Sequence, residues 1–534
     1  MSTATSKRNI LKWEGNFFNR ARVWPREPDL AVIKSLAMEH LASELPHEFN
    51  RAEPKISDFA YGAFNKLYLV TYDGHDISYV FRATLSVIPF YKTESEVATL
   101  AYLRAKTSIP VPRVIAWNSS ADNDLAFEWI LMNKVAGVTL RSLWRHMPWQ
   151  RKLELIDTLA GFIHQLRART FSTIGSLYFK SALESHQGGM NHESIDALFE
   201  NPPMEDGLVD LSTEFKGSDH GNTEANEHEN GSSAFKIPSD DEFVVGPIFS
   251  WIFWKGSRLY LPGNRGPYQS CSEWYQALID MQIKWVKAGR VEGDSDYDSD
   301  FEIESPDLLA WCQQYLDVLA AICPKQEDHS PSSLHHHDLN DANILVDPET
   351  FGITGIVDWE TINILPNWRT TGCPEFIDTC DPPCDTEPLI PDYDEGQTLE
   401  TDTRDQWDNR ILRGRFEHAM KQLSATYDSN MTSKSRETKR AFETSIGDLT
   451  DWPKRSQNWL KRYRNAVDLK KKIEEKRKEL DENETRTGRD VIIRIASAAL
   501  RGPGSVTRDE PETDTVAHTA ERATSTDIAT DTMK

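Results

Sequence analysis

The chain has 534 residues and carries 84 Asp and Glu against 60 Lys and Arg, a formal charge of −24. That balance opposes a general nucleic-acid or anionic-membrane surface, and the length allows one large two-lobed domain with extensions or two or three ordinary ones. Six cysteines, no signal-like apolar segment at the N-terminus and no apolar run long enough to span a bilayer argue against a disulfide framework and a membrane helix. A cytoplasmic location is expected. Mitochondrial import is the alternative, because residues 1–26 carry several Lys and Arg, although Trp13, Glu14, Phe17 and Phe18 weaken a transit-peptide reading.

In chain order, residues 1–50 read as an N-terminal extension with one helix, in which Leu30, Ile33, Leu36 and Ala37 share a face. Two aliphatic and aromatic runs, Leu67 to Tyr72 and Tyr79 to Leu85, flank the turn residues Asp73, Gly74 and Asp76 and predict a β-hairpin. The stretch "TESEVATLAYLRA" predicts a helix with Glu96, Leu100 and Leu103 on one face, ending before "SIPVP". Residues 127–132, "FEWILM", read as a strand, and Gly137 breaks the chain soon after. "RKLELIDTLAGFIHQLRAR" predicts a helix whose apolar arc, Leu153, Ile156, Ala160 and Ile163 beside Leu155, Leu159, Phe162 and Leu166, is wide enough for burial on more than one side.

From His186 to Glu242 the sequence turns rich in Asp, Glu, Asn, Ser and Gly and offers too few aliphatics to offset chain entropy, so a disordered insertion is expected. A second acidic run, "EGDSDYDSDFEIESPD", reads the same way, and the apolar block from Val244 to Val286 between them belongs to a core. Past Asp392 the chain becomes charged helical material, and its last stretch is rich in Thr, Ala, Asp and Glu. The basic helix from Lys454 to Arg477 interleaves acidic residues and reads as a solvated face.

The densest chemistry lies in "HHHDLNDANILVDPETFGITGIVDWE", residues 335–360. Phosphoryl transfer from a nucleotide needs a carboxylate to accept the proton of the attacking hydroxyl and hard oxygen ligands for Mg²⁺. Asp338 stands five positions before Asn343, the spacing of a kinase catalytic loop. Ile344 to Val346 then form a short strand, and a second strand, "ITGIV", runs directly into Asp358. The histidines at 335–337 alternate in direction along an extended chain and do not form a metal site. Cys373, Cys380 and Cys384 lack paired short spacing and read as thiols.

Around 56–135, 244–290 and 331–395, about half the chain, the sequence resembles the aminoglycoside phosphotransferase family, and within it the fungal-type members. "NILVD" followed by "GIVDWE", with "SEVATLAYLRAKTSIPVPRV", "VGPIFS" and "NRGPY", carries the resemblance. It implies a two-lobed, protein-kinase-like α+β fold with a small β-sheet N-lobe over a mainly helical C-lobe. It further implies an ATP- and Mg-dependent phosphotransferase acting on a small-molecule hydroxyl. By the same likeness Asp338 is the base, His336 braces its loop, Asn343 and Asp358 hold Mg²⁺, Glu96 pairs with the phosphate-gripping cation, and Asn133 to Val135 form the adenine-contacting hinge.

Two departures stand out. Arg82 in "YVFRA" occupies the strand position where protein kinases carry lysine, and the phosphate loop "YGAFNKLY" holds only Gly62, so that Asn65 is expected to substitute with its side chain. These departures support the rival reading, a catalytically weak nucleotide-binding scaffold. The expected organisation is an N-terminal extension to 50, an N-lobe over 51–133, and a C-lobe over 134–395 with acidic insertions near 186–242 and 291–305. A charged helical extension over 396–484 and a disordered tail over 485–534 complete it.

Overall fold

The fold follows from one sheet too small to bury itself. The computed structural model describes residues 12–14, 21–46, 52–62, 64–74, 76–187, 242–254, 258–259, 261–288, 305–325, 329, 331–370, 372–379, 382, 386–388, 399–424, 427 and 433–483. Five antiparallel strands, β1 (Lys55–Tyr61), β2 (Asn65–Thr71), β3 (Tyr79–Thr84), β4 (Val114–Asn118) and β5 (Glu128–Asn133), form a sheet in the order β1-β2-β3-β5-β4. The expected hairpin is present as β2 and β3, with Leu67 opposite Arg82. Strand β3 is buried at every position, as its continuous apolar run around one arginine suggests. The edge strand β1 is almost wholly exposed, and so shows no apolar alternation to read.

Helix α1 (Leu30–Leu41) contacts β1 and β4 and is capped by Asp29, whose carboxylate accepts from Ala31 N at 2.8 Å. Its buried stripe is Ile33, Ala37 and Leu41. Leu30, expected on that face, sits at the first helical position and is 48% exposed. Helix α2 (Tyr91–Lys106) is wedged between the sheet and strand β7 (Ser176–Phe179) of the large lobe. Contact on both sides buries polar Lys92, Glu94 and Glu96 together with Leu100 and Leu103.

The large lobe is mainly helical. Helix α3 (Trp149–Ala168) buries Leu155, Ile156, Leu159, Ala160 and Leu166 and keeps Leu153, Phe162 and Ile163 half-buried. Helix α4 is Lys180–Gln187, α5 Cys271–Lys287 and α6 Ser305–Ile322. The charged stretch expected as an extension from 396 supplies core: α7 (Leu399–Leu423) lies along α3 and contributes Leu412, Phe416 and Met420 to the same apolar cluster as Ile156. Helix α8 (Ser433–Asp451) sets Phe442 against Tyr275 and Tyr315, and Trp459 stacks on Tyr315 with ring centres 6.3 Å apart. Together these elements make a two-lobed α+β fold, a small antiparallel sheet lobe and a mainly helical lobe.

Helix α9 (Pro453–Asn483) crosses the boundary between two compact units, Met1–Lys461 and Arg462–Lys534. Within the second unit, residues 462–478 are exposed except at Tyr463, Ala466 and Ile473, where burial is partial, the pattern of a solvated helix. Among the described residues no helix is long and apolar enough to cross a membrane. The expected disordered tail, most of both acidic insertions, Cys380 and Cys384 lie outside the described residues.

The insertion expected from His186 needs a later start. His186 closes α4, and its ring stacks on Phe90 at 3.8 Å. The chain that leaves β7 returns as β8 (Phe243–Gly246), antiparallel to it, with Phe179 opposite Phe243. The ends of the interruption are thereby held close. Replacing residues 189–241 by about eight Gly/Ser residues, enough to span about 26 Å, is expected to leave unfolding cooperative and its midpoint nearly unchanged. Chemical denaturation of the shortened chain is the check; loss of a single transition would make the segment part of the core.

Candidate active site

Two loops between short strand pairs build the site. Strand β9 (Ser332–His335) pairs with β12 (Asn363–Pro366), and β10 (Ile344–Val346) pairs with both β11 (Ile353–Ile356) and the two-residue β6 (Val138–Thr139). The loop 336–343 therefore leaves one pair and enters the other, and the loop 357–362 makes the return. Two bonds tie the loops together: His336 Nε2 donates to Val357 O at 3.0 Å, and Val357 N donates to Asn343 O at 2.9 Å. Burial pulls His336 down to about 4, so the ring is neutral at ordinary pH. The carbonyl can only accept, so the ring proton sits on Nε2. Its ring meets Trp359 edge-to-face at 4.6 Å. His336 thus holds the two loops in register.

Asp338 and Asn343 come together as expected. Asn343 Nδ2 donates to both the main-chain oxygen (2.9 Å) and Oδ2 (3.0 Å) of Asp338, while Asn340 Nδ2 donates to Oδ1 at 2.7 Å. The Asn343 amide is oriented by these bonds with its nitrogen on Asp338, which directs its oxygen elsewhere. Asp358 adopts a left-handed backbone conformation, φ 64°, one residue past the Val357–Asn343 bond. Desolvation, then the nearby carboxylates of Glu360 and Glu96, push its carboxyl up. A carboxyl crowded by like charges is a hard oxygen donor that gains from an added cation, and Asn343, tied to the residue before Asp358 by a main-chain bond, carries a second such oxygen, so these residue types fit Mg²⁺.

Above this floor, the small lobe supplies cations. Arg82 forms a buried two-bond pair with Glu96, Nη1 to Oε1 at 2.7 Å and Nη2 to Oε2. The expected pairing of strand cation and helix glutamate is formed. Sequence reading missed Lys92 and Glu360. Lys92, 1% exposed, lies 2.5 Å from Glu360, and Asn65 Nδ2 donates to the same carboxylate at 2.8 Å. Lys92 precedes Glu96 by one helical turn and so shares its face, a signal the sequence did contain. Glu128 of β5 helps hold this helix end, its two oxygens accepting from Phe90 N (3.4 Å) and Thr93 Oγ1 (2.5 Å); α2 has no side-chain cap of its own.

The remaining expected residues divide. Gly62 closes the β1–β2 turn, its N–H donating to Asn65 O at 2.8 Å, but a Cβ there would meet only that oxygen, at 3.8 Å, so the turn does not require glycine. Asn65 turns inward, accepting from Thr84 Oγ1 at 2.9 Å while it donates to Glu360. Asn133 uses its side-chain oxygen on Arg113 N at 2.5 Å and serves the sheet. Val135 lies directly on β11: a Cβ on Gly355 would approach its Cγ1 to 2.5 Å. Gly137, at φ +108°, leaves no room for a side chain beside Val346 O. The lobe connection is thereby pinned to the β10–β11 hairpin.

Residues 285–366 match the family model described as the phosphotransferase enzyme family, APH. The match spans both loops of the site. A subtelomeric hrmA-associated cluster protein of Aspergillus fumigatus is 26% identical over 375 residues, 64% of each chain, so this chain spans less than two thirds of that relative. Altered inheritance of mitochondria protein 9 of Candida albicans is 33% identical over 99 residues, 17% of this chain and 16% of that protein. Among solved structures, apo aminoglycoside phosphotransferase APH(4)-Ia is similar at a TM-score of 0.34 and 12% identity, over 76% of this chain and 92% of that one. The gentamicin–APH(2")-IIa complex gives 0.36 and 9%, over 90% and 98%.

The buried pair makes a stability prediction. Glu96→Ala removes the carboxylate bonded to both Nη atoms of the buried Arg82, leaving the 4.0 Å approach to Glu360, and is expected to lower the unfolding free energy by about 3–5 kcal/mol. Glu44→Ala, which breaks a more open pair with Arg113 at 2.5 Å, should lose about 1 kcal/mol or less. Urea denaturation of both variants tests the contrast.

Proposed function

We propose that the chain transfers the terminal phosphoryl group of ATP to a hydroxyl of a small molecule, with Asp338 as base and Asn343 and Asp358 holding Mg²⁺. The observation that carries this reading is the Asn343 amide fixed on Asp338 by two bonds of 2.9 and 3.0 Å. The Asn340 and Asn343 amides each occupy one Asp338 oxygen, which orients the carboxylate and leaves lone pairs to take the proton of the attacking hydroxyl. That proton passes from the acceptor oxygen to the Asp338 carboxylate as the oxygen attacks the γ-phosphorus and the bond from that phosphorus to its bridging oxygen breaks, ADP leaving with the bridging oxygen and its electron pair. Bound Mg²⁺ supplies neutralisation of phosphate charge. With Asn133 committed to the sheet, the adenine edge falls to the main chain at Val135.

The second reading, a weakly catalytic nucleotide-binding scaffold, is favoured by the pairing of both Arg82 Nη atoms with Glu96 and by a loop that does not require its glycine. Turnover separates the two: a scaffold is stabilised thermally by ATP yet consumes none across a panel of hydroxyl-bearing metabolites. The compartment is read as cytoplasmic, with the mitochondrion as the alternative; the Candida relative is named a mitochondrial protein. Imaging of a tagged full chain decides between them.

Asp338→Asn is expected to keep nucleotide affinity while turnover falls about 10²-fold or more; unchanged turnover would remove Asp338 from the chemistry. A magnesium titration gives a further check. Asp358→Ala should raise the magnesium midpoint and depress turnover more than Asn343→Ala, because a full charge is lost in place of a dipole. An unshifted midpoint with full activity in the Asp358 variant would rule out the metal assignment.

A further inference from the structure

The cleft holds two buried cations, and they are not equivalent. Arg82, 5% exposed, sets both Nη atoms on Glu96, with Nη1 4.0 Å from Glu360. Its planar fork is already matched to a carboxylate, the geometry in which a guanidinium is least free to turn to another anion. Lys92 is different. Its ammonium has three donors; one meets Glu360 at 2.5 Å, and Asn65 Oδ1 lies at the long distance of 3.5 Å. The charges of both cations act on Asp358, two residues past β11, that of Arg82 first and that of Lys92 after it. Glu360 follows Asp358 by two positions and reaches up from the large lobe, while Lys92 and Asn65 reach down from the small one.

Resting on the nucleotide reading of this cleft, we propose that Lys92, and not Arg82, is the cation that meets the nucleotide phosphates, with Glu360 holding its ammonium in the empty cleft and yielding it to phosphate on binding. The exchange follows from the energetics of burial. An ammonium with 2% side-chain exposure cannot stand without a counter-charge, so whichever anion enters must replace the one that leaves. A polyphosphate brings more charge and more acceptor oxygens than one carboxylate. Glu360, 16% exposed at its side chain, has a route to water that Lys92 lacks. Arg82 then acts as a positioning residue: by fixing Glu96 it fixes α2, and with it Lys92 one turn earlier on the same face. Glu360 is in this account an internal competitor, and the affinity for nucleotide is reduced by the stability of the pair it makes.

Opposite effects of the two charge removals distinguish this account from a structural ion pair. Binding of a fluorescent ATP analogue to the purified full chain is measured with excess EDTA and again with Mg²⁺, with melting temperatures recorded for every variant. Lys92→Met is expected to weaken binding about tenfold or more in both conditions. Glu360→Gln is expected to tighten metal-free binding about threefold or more, because the empty form then carries an ammonium that has lost the carboxylate in direct contact with it, a place that phosphate fills. Should Lys92→Met fail to fold, the double variant Lys92→Met/Glu360→Gln removes both charges and should fold yet bind as weakly. Unchanged affinity in the folded Lys92 variants, or weaker metal-free binding in Glu360→Gln, overturns the proposal and leaves the nucleotide reading intact. A wild-type chain that binds no nucleotide overturns both.

Discussion

Everything in the cleft depends on a helix that enters the protein interior with its charges still on it. Contact with the sheet on one side and β7 on the other leaves Lys92, Glu94 and Glu96 almost no solvent, and a buried charge is tolerated only when it is paired. Each of the three has found a partner outside the helix: Glu360 for Lys92, Trp117 Nε1 and Ser119 Oγ for Glu94 at 3.0 and 2.7 Å, and Arg82 for Glu96. Glu128 meets the helix end that no local side chain caps. These partners come from β3, β4, β5 and the loop after β11, so the position of α2 fixes all of them at once. Site geometry and lobe assembly are consequently one problem solved by the same set of bonds.

The local parts of this arrangement are legible in the amino-acid sequence itself. Asp338 and Asn343 are five residues apart and bound to each other, so their spacing carries their geometry. The β2–β3 hairpin and helices α2 and α3 are readable for the same reason, since their periodicity reports a face turned toward the core. What stays hidden is non-local. Asn65 and Glu360 are 295 positions apart, and nothing near either one announces the other. Gly62 illustrates the opposite error: a glycine in the right loop invites a role that the open space around it does not demand.

The segment beyond 396 misleads for a different reason. Helix α7 is dominated by charge, and its average composition is that of appended material; yet Leu412, Phe416 and Met420 recur every fourth residue and are fully buried. Three side chains on one stripe suffice to seat a helix on α3, while the charged remainder faces water and pairs at its margins, as Arg415 does with Asp157 at 2.6 Å. Lys439 shows how far this goes: a lysine with no exposed surface, its ammonium 5.4 Å from the Trp368 ring centre.

The pinned lobe connection has a mechanical meaning. Besides the Thr354 Oγ1 bond to Ala136 O at 2.6 Å, Ile356 N donates to Pro110 O of the small lobe at 2.8 Å. The β10–β11 hairpin, although it belongs to the large lobe by sequence, is fastened to the lobe connection at Ala136 and to the small lobe at Pro110. A door hinged at 134–137 would have to tear the Pro110 fastening. Motion that opens the cleft is instead directed to the seam between the β10–β11 and β9–β12 pairs, the seam bridged by the His336–Val357 bond. Asp358 would then move with β11 while the start of the Asp338 loop stays with β9, and an opening at that seam would change the distance between the Asp338 and Asp358 carboxyls as well as the width of the entrance.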